Sequence, residues 1–117
     1  MTTSVLIVDD HPSFRATARM LLEAEGYDVV GEAPDGRSAL TAARELAPDV
    51  VLLDVNLPDI DGFEVAARLT NGNGPTIVLV SSRDGADFGP LVSRSGARGF
   101  ISKGELSGAT LAALLER

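Results

Sequence analysis

The sequence predicts an α/β fold, a doubly wound parallel sheet of five strands with helices on both faces. Three observations predict it. Short β-branched apolar runs alternate with longer stretches of helical apolar spacing. The runs "SVLIVD" and "DVVLLD" are continuous rather than alternating, as strands covered on both faces require. The 117 residues, 44% of them hydrophobic, suffice for one compact core and not for two.

The elements follow in order. "SVLIVD", Ser4 to Asp9, is the first strand. In "SFRATARMLLEAEG", Phe14, Ala18, Leu21 and Leu22 fall on one helical stripe and Gly26 stops the helix. "YDVVGEA" reads as the second strand. "DGRSALTAARELAP" carries Leu40, Ala43 and Leu46 at helical spacing, with Pro48 beyond its end. "DVVLLD" is the third strand, "GFEVAARLT" a short helix and "NGNGP" a loop with strong turn chemistry. "TIVLVSS" and "RGFISK" are the fourth and fifth strands. The tail "ELSGATLAALLER" reads as a final helix with a stripe of Leu106, Leu111, Leu114 and Leu115. The weakest element is "RDGADFGPLVSRSG", which contains Gly85, Gly89 and Pro90. Proline is excluded from helix interiors, so a short helix is expected from near Gly89, with Pro90 in its first turn. No repeat, low-complexity segment or linker interrupts the pattern, and residues 1–117 read as one domain.

Composition removes several classes of function. A formal net charge of −7 argues against nucleic acid as a direct partner. The absence of cysteine excludes disulfides and thiolate metal sites, and fits a reducing cytosol. No apolar run approaches the ~20 residues of a membrane span. "MTTSV" has neither region of a signal peptide.

Chemistry concentrates at strand ends. Ligands of a parallel sheet sit at the carboxyl ends of its strands. Asp9 and Asp10 close the first strand and Asp54 the third, so neighbouring strands bring three carboxylates together. Three anions at close range repel and call for a cation. Oxygen ligands favour a hard divalent ion, Mg²⁺, with water completing the shell. Each residue also has a bland reading: an Asp-Asp pair after a strand is often cap or turn chemistry. Lys103 ends the fifth strand and is the single lysine among ten lysine and arginine residues. It is either a solvated charge or a compact cation for a phosphoryl oxygen. Ser81 ends the fourth strand, as a turn residue or a hydroxyl donor to that group.

"VLIVDDHPSF", "DVVLLDVNLPDIDGFEV", the strand ending in Ser81 and "GARGFISK" together resemble the receiver domain of two-component response regulators, over essentially the whole chain. "LLDVNLPDIDG" is the most specific part. The resemblance implies the flavodoxin-like strand order 2-1-3-4-5. It implies that Asp54 is the phosphoacceptor, that Asp10 binds Mg²⁺ directly and Asp9 through water, and that the Asn56 carbonyl is a further ligand. Ser81 and Lys103 would contact phosphoryl oxygens. Phe100 would turn inward when Ser81 moves. Pro58 and Gly62 would shape the loop after Asp54. The implied partners are a sensor histidine kinase, an output domain or effector protein, and a second copy docked through the fourth helix, fifth strand and fifth helix. The implied setting is a bacterial cytoplasm, and the implied role is signalling rather than enzymatic turnover of a substrate.

The family pattern is not matched throughout. Gly104 follows Lys103 where the family often has proline, so no cis peptide is expected there. The fourth helix is poor. No DNA-binding domain follows the final helix, although "DDHP" and "GEAPDG" resemble receivers attached to helix-turn-helix output domains; a stand-alone receiver and an excised one both stay open. A partner-binding receiver without phosphorylation is an alternative. An aspartyl-nucleophile phosphatase is disfavoured, because its two acids stand two residues apart rather than adjacent. A flavin or nucleotide carrier would need a Gly- or Ser/Thr-rich phosphate loop where "DDHPSF" stands. A phosphohistidine at His11 is disfavoured, because a histidine beside a cap position is usually structural.

Overall fold

A computed structural model describes residues 2–72, 74–83 and 85–116. Met1, Asn73, Asp84 and Arg117 lie outside the described residues. They fall in the expected N-terminal stretch, the 71–75 loop, the 83–96 segment and the final helix.

Five parallel strands form one sheet: β1 (Ser4–Val8), β2 (Asp28–Ala33), β3 (Val50–Asp54), β4 (Thr76–Ser81) and β5 (Gly99–Ser102), in the order β2-β1-β3-β4-β5. This is the flavodoxin-like order expected. The period of two sends alternate side chains to opposite faces. Val5 and Ile7 of β1, Val50 and Leu52 of β3, and Val78 and Val80 of β4 build one core. Leu6 and Val8, Val51 and Leu53, and Ile77 and Leu79 build the other. Both sets are needed, which is why these strands read as unbroken apolar runs.

Helices α1 (Pro12–Ala24) and α5 (Gly108–Leu115) cover the first face; α2 (Gly36–Leu46) and α3 (Gly62–Leu69) cover the second. The helix ends are capped locally. Pro12 opens α1, and Gly26 beyond its end takes φ +92°, the left-handed conformation that glycine adopts without strain. The Asp35 side chain accepts from the Ser38 N–H at the start of α2. Ser107 and Thr110 form a reciprocal capping box at the start of α5.

Some expectations are corrected. Leu21 and Leu46 do not join their stripes: they are 39% and 43% exposed. Leu46 sits at the last turn of α2 and leans on Gly31 of β2, where an added Cβ would lie 2.7 Å from its Cδ1. Leu106 is buried but precedes the final helix, because a 3-10 turn at Lys103–Glu105 intervenes and the chain then extends into the Ser107 cap. The weak element is a short helix starting near Gly89, as expected, with Pro90 at the cap rather than inside the first turn. A 3-10 turn at Gly85–Phe88 leads to α4 (Leu91–Arg94), which has Pro90 at its N-cap and no buried residue. No cis peptide occurs among the described residues.

Candidate functional site

The site lies at the carboxyl ends of β1, β3, β4 and β5. In the parallel register Asp54 pairs with Val80 and Ser81 with Ser102, which sets the last residues of three strands within one register step of one another. Asp9 follows directly on β1, its N–H donating to the Ala33 carbonyl of β2 at 3.0 Å. Asp9 is fully buried and Asp54 only 2% exposed, whereas Asp10 is at the surface.

The loop after Asp54 is held by close packing. A Cβ on Gly62 would collide with the Asp54 carbonyl oxygen and lie 2.7 Å from Val55 Cα, so only glycine fits where α3 starts against the β3 backbone. The Gly62 N–H donates to Val55 O at 2.9 Å, and the Val55 N–H to Val80 O at 3.0 Å. The Asn56 N–H donates to Asp54 Oδ1 at 3.1 Å, which orients the carboxylate. Asp59 in the same loop accepts from the Gly36, Arg37 and Ile60 N–H groups at 2.7, 3.0 and 2.8 Å. It thereby ties the loop to the start of α2.

Lys103, the first residue after β5, reaches across the strand ends. Its Nζ lies 2.7 Å from Asp9 Oδ2 and 3.5 Å from Asp54 Oδ2. The approach to Asp54 is a hydrogen bond. The shorter approach, to Asp9, is an ion pair that gives the buried Asp9 Oδ2 the Lys103 ammonium as its partner. Phe14 on α1 lies beneath the ammonium, 4.6 Å from ring centroid to Nζ.

His11 caps the cluster. Its backbone N–H donates to Asp9 Oδ1 at 2.8 Å, and its Nδ1 lies 3.1 Å from Asp9 Oδ1 and 3.1 Å from Asp10 Oδ1. One donor atom each from Asp9, Asp10, His11 and Asp54 falls within 4.8 Å of the others. Burial pushes the Asp54 carboxyl up to about 6; the Asp9 charge adds to this, while the Asn56 N–H and Lys103 oppose it. Three carboxylates brought together at the strand ends, two of them buried, with a single ammonium among them, fit a hard divalent ion of the Mg²⁺ kind.

The structure therefore brings Asp9, Asp10, Asp54 and Lys103 together. Ser81 is buried at the end of the neighbouring strand, its Oγ accepting from the Arg83 N–H at 3.1 Å. Asn56 is exposed two residues after Asp54. Phe100 lies on β5, half-buried beside the other core, with its ring 5.6 Å from that of Phe88; Phe88 is in turn 5.5 Å from Phe63. Three contributors were missed in the sequence. Phe14 had a signal, since the first turn of the α1 stripe must lie at the strand ends. Arg15, whose guanidinium donates to the Asp9 carbonyl at 2.6 Å and pairs with Glu32 at 3.1 Å, had none in its spacing. Asp59 could have been found as a turn acid beside the capping Asp61.

Comparison with known proteins agrees with this fold. The family model for the response regulator receiver domain matches residues 5–115. BvgA of Bordetella pertussis is 43% identical over 106 residues, 90% of this chain and 51% of BvgA. The response regulator GacA of Pseudomonas aeruginosa is 41% identical over 102 residues, 86% of this chain and 48% of GacA. This chain spans about half the length of these curated relatives. The crystal structure of a LuxR-family two-component response regulator from Aurantimonas superposes with a TM-score of 0.87 at 33% identity, covering 100% of this chain and 88% of that one.

Proposed function

This chain belongs to the response regulator receiver family of two-component signalling, and we propose that it accepts a phosphoryl group on Asp54 from a phosphohistidine of a sensor kinase. Asp10 and Asp54 with the Asn56 carbonyl would hold Mg²⁺ directly, and Asp9 through water. Bound there, Mg²⁺ neutralises charge on the transferring phosphoryl oxygens.

The chain's own residues supply position and electrostatics. The Asn56 N–H orients the Asp54 carboxylate, leaving Oδ2 on the Lys103 side to attack phosphorus. The new bond is O–P and the broken one is N–P of the donor imidazole, which leaves with the electron pair and takes up a proton. The product is an acyl phosphate. Lys103, poised between Asp9 and Asp54, provides a fixed positive charge where phosphoryl oxygens accumulate negative charge. Attack by water on the acyl phosphate later ends the signal.

The phosphoryl group would then act as a ligand that shifts an existing equilibrium. Ser81 Oγ would exchange the Arg83 N–H for a phosphoryl oxygen. Phe100 would follow into the space released, changing the face of α4, β5 and α5, to which an output domain, effector or second copy would respond. A cytoplasmic setting follows from the same reading, and among the described residues no helix is long and apolar enough to cross a membrane.

The observation that carries the proposal is the meeting of Asp54, Asp9 and Lys103 at adjacent strand ends. The test is incubation with acetyl phosphate and Mg²⁺ followed by intact mass. The wild type gains one phosphoryl group, and chelator abolishes the gain. Asp54→Asn gains none; full labelling of that variant contradicts the assignment.

A further inference from the structure

We infer that Phe14 is a positioning residue for phosphoryl transfer: its ring holds the Lys103 ammonium at the mouth of the site while the carboxylates around it change charge. The inference rests on the reading of Asp54 as the phosphoacceptor.

The contacts are those of a cation seated on an aromatic face. Lys103 Nζ lies 4.6 Å from the Phe14 ring centroid, 2.7 Å from Asp9 Oδ2 and 3.5 Å from Asp54 Oδ2. The face of the ring is the negative side of its quadrupole and attracts the ammonium. The lysine side chain is only 17% exposed, and a cation stripped of water is held by a ring more strongly than a solvated one.

Phe14 is fixed independently of Lys103. It stands in the first turn of α1, just after Pro12, and packs against the core of that face. Its chain neighbour Arg15 donates to the Asp9 carbonyl at 2.6 Å and pairs with Glu32 of β2 at 3.1 Å, so this turn is tied to the ends of β1 and β2. Lys103 has no such support from its own stretch of chain. Its four-carbon stem is flexible, and the 3-10 turn that it opens buries no residue. Gly104 follows, with open space where a Cβ would stand.

The carboxylates cannot hold Lys103 constant through the reaction. On becoming an acyl phosphate, Asp54 gives up the charge that attracts Nζ at 3.5 Å. Asp9 shares its charge with the cation site. The attraction of the ring depends on neither event. Nor does a ring neutralise the ammonium, whose full charge stays available to phosphoryl oxygens.

The experiment places phenylalanine analogues with one, two and three ring fluorines at position 14 of the full chain, beside Phe14→Leu and Phe14→Tyr. Fluorine draws charge from the ring face and leaves its shape nearly unchanged. Phosphoryl gain from acetyl phosphate in saturating Mg²⁺ is followed by intact mass, and unfolding midpoints by thermal denaturation. The rate should fall stepwise with fluorine number, to on the order of tenfold below the wild type, with midpoints unchanged. Phe14→Leu should be as slow as the slowest analogue, and Phe14→Tyr, which keeps the ring face, should restore the rate. Lys103 is the single lysine of the chain, so its ε protons give one identifiable NMR signal. The ring should displace that signal upfield in the wild type, and Phe14→Leu should return it to the ordinary lysine position. A flat fluorine series, an undisplaced Lys103 signal in the wild type, or rate losses that track falling midpoints overturns the inference while Asp54 stands as phosphoacceptor. Absence of any phosphoryl gain in the wild type overturns both.

Discussion

The two ends of the sheet are built to different standards. In β1, β3 and β4, nearly every side chain is fully buried, and the carboxylates stand at the ends of two of these strands. In β5 only Ile101 is buried, and α4 beside it is four residues long with none. The proposed phosphoryl chemistry demands carboxylates fixed to fractions of an ångström, and central strands supply that. A surface that must change shape needs conformers separated by little energy, and a poorly buried edge supplies that. Under the proposed function the difference would keep acceptor and reporter on separate parts of one sheet, joined through Ser81, Phe100 and Lys103.

Core truncation breaks this contrast most strongly. Leu52→Ala empties a fully buried position in the middle strand and should cost about 3 kcal/mol, within the usual range for buried leucine. Leu91→Ala on α4, where the side chain is 45% exposed, should stay within about 0.5 kcal/mol. Chemical denaturation of the two variants measures the gap; similar losses would mean that α4 is as firmly integrated as β3.

A smaller effect sharpens the contrast from the site itself. Folding raises the Asp54 carboxyl from 3.8 to about 6, so the folded chain holds this proton more tightly than the unfolded chain. Stability from this group is therefore greatest below pH 4 and is lost as pH rises toward 6. Converted in full the displacement is about 3 kcal/mol; solvent at the mouth of the site screens part, leaving about 1–2 kcal/mol. In chelator at pH 7, Asp54→Asn should be more stable than the wild type by that amount, with the gap closing by pH 4. Saturating Mg²⁺ should narrow it, because Mg²⁺ stabilises chiefly the wild type. A gap independent of pH would show that site repulsion is not its source.

Most of the fold was legible because its causes are local. Unbroken apolar strands, Gly26 at a helix end, and Pro90 in a glycine-rich stretch each act within a few residues. The carboxylates were legible for a related reason: a parallel sheet collects strand ends, so Asp9, Asp10 and Asp54 had to converge. Leu21, Leu46 and Leu106 were misread because periodicity reports which residues share a face, but not where the neighbouring layer stops or a helix begins. Arg15 was invisible because its partners, the Asp9 carbonyl and Glu32, meet only once β2 lies beside β1. His11 reads as a cap residue in sequence, and its approach to two carboxylates depends on the turn between β1 and α1.

Hydrogen exchange with and without beryllofluoride, a phosphoryl mimic, in the presence of Mg²⁺ tests the central claim most directly. Without the mimic, amides of residues 91–102 should exchange much faster than those of β1, β3 and β4. With it, protection should change over 85–102 while the central strands stay as they were, and Ser81→Ala should reduce that change without preventing acceptance of phosphate at Asp54. Equal protection of both regions at the outset, with no response of 85–102 to the mimic, would contradict the division of the sheet into a fixed acceptor and a loosely held reporter.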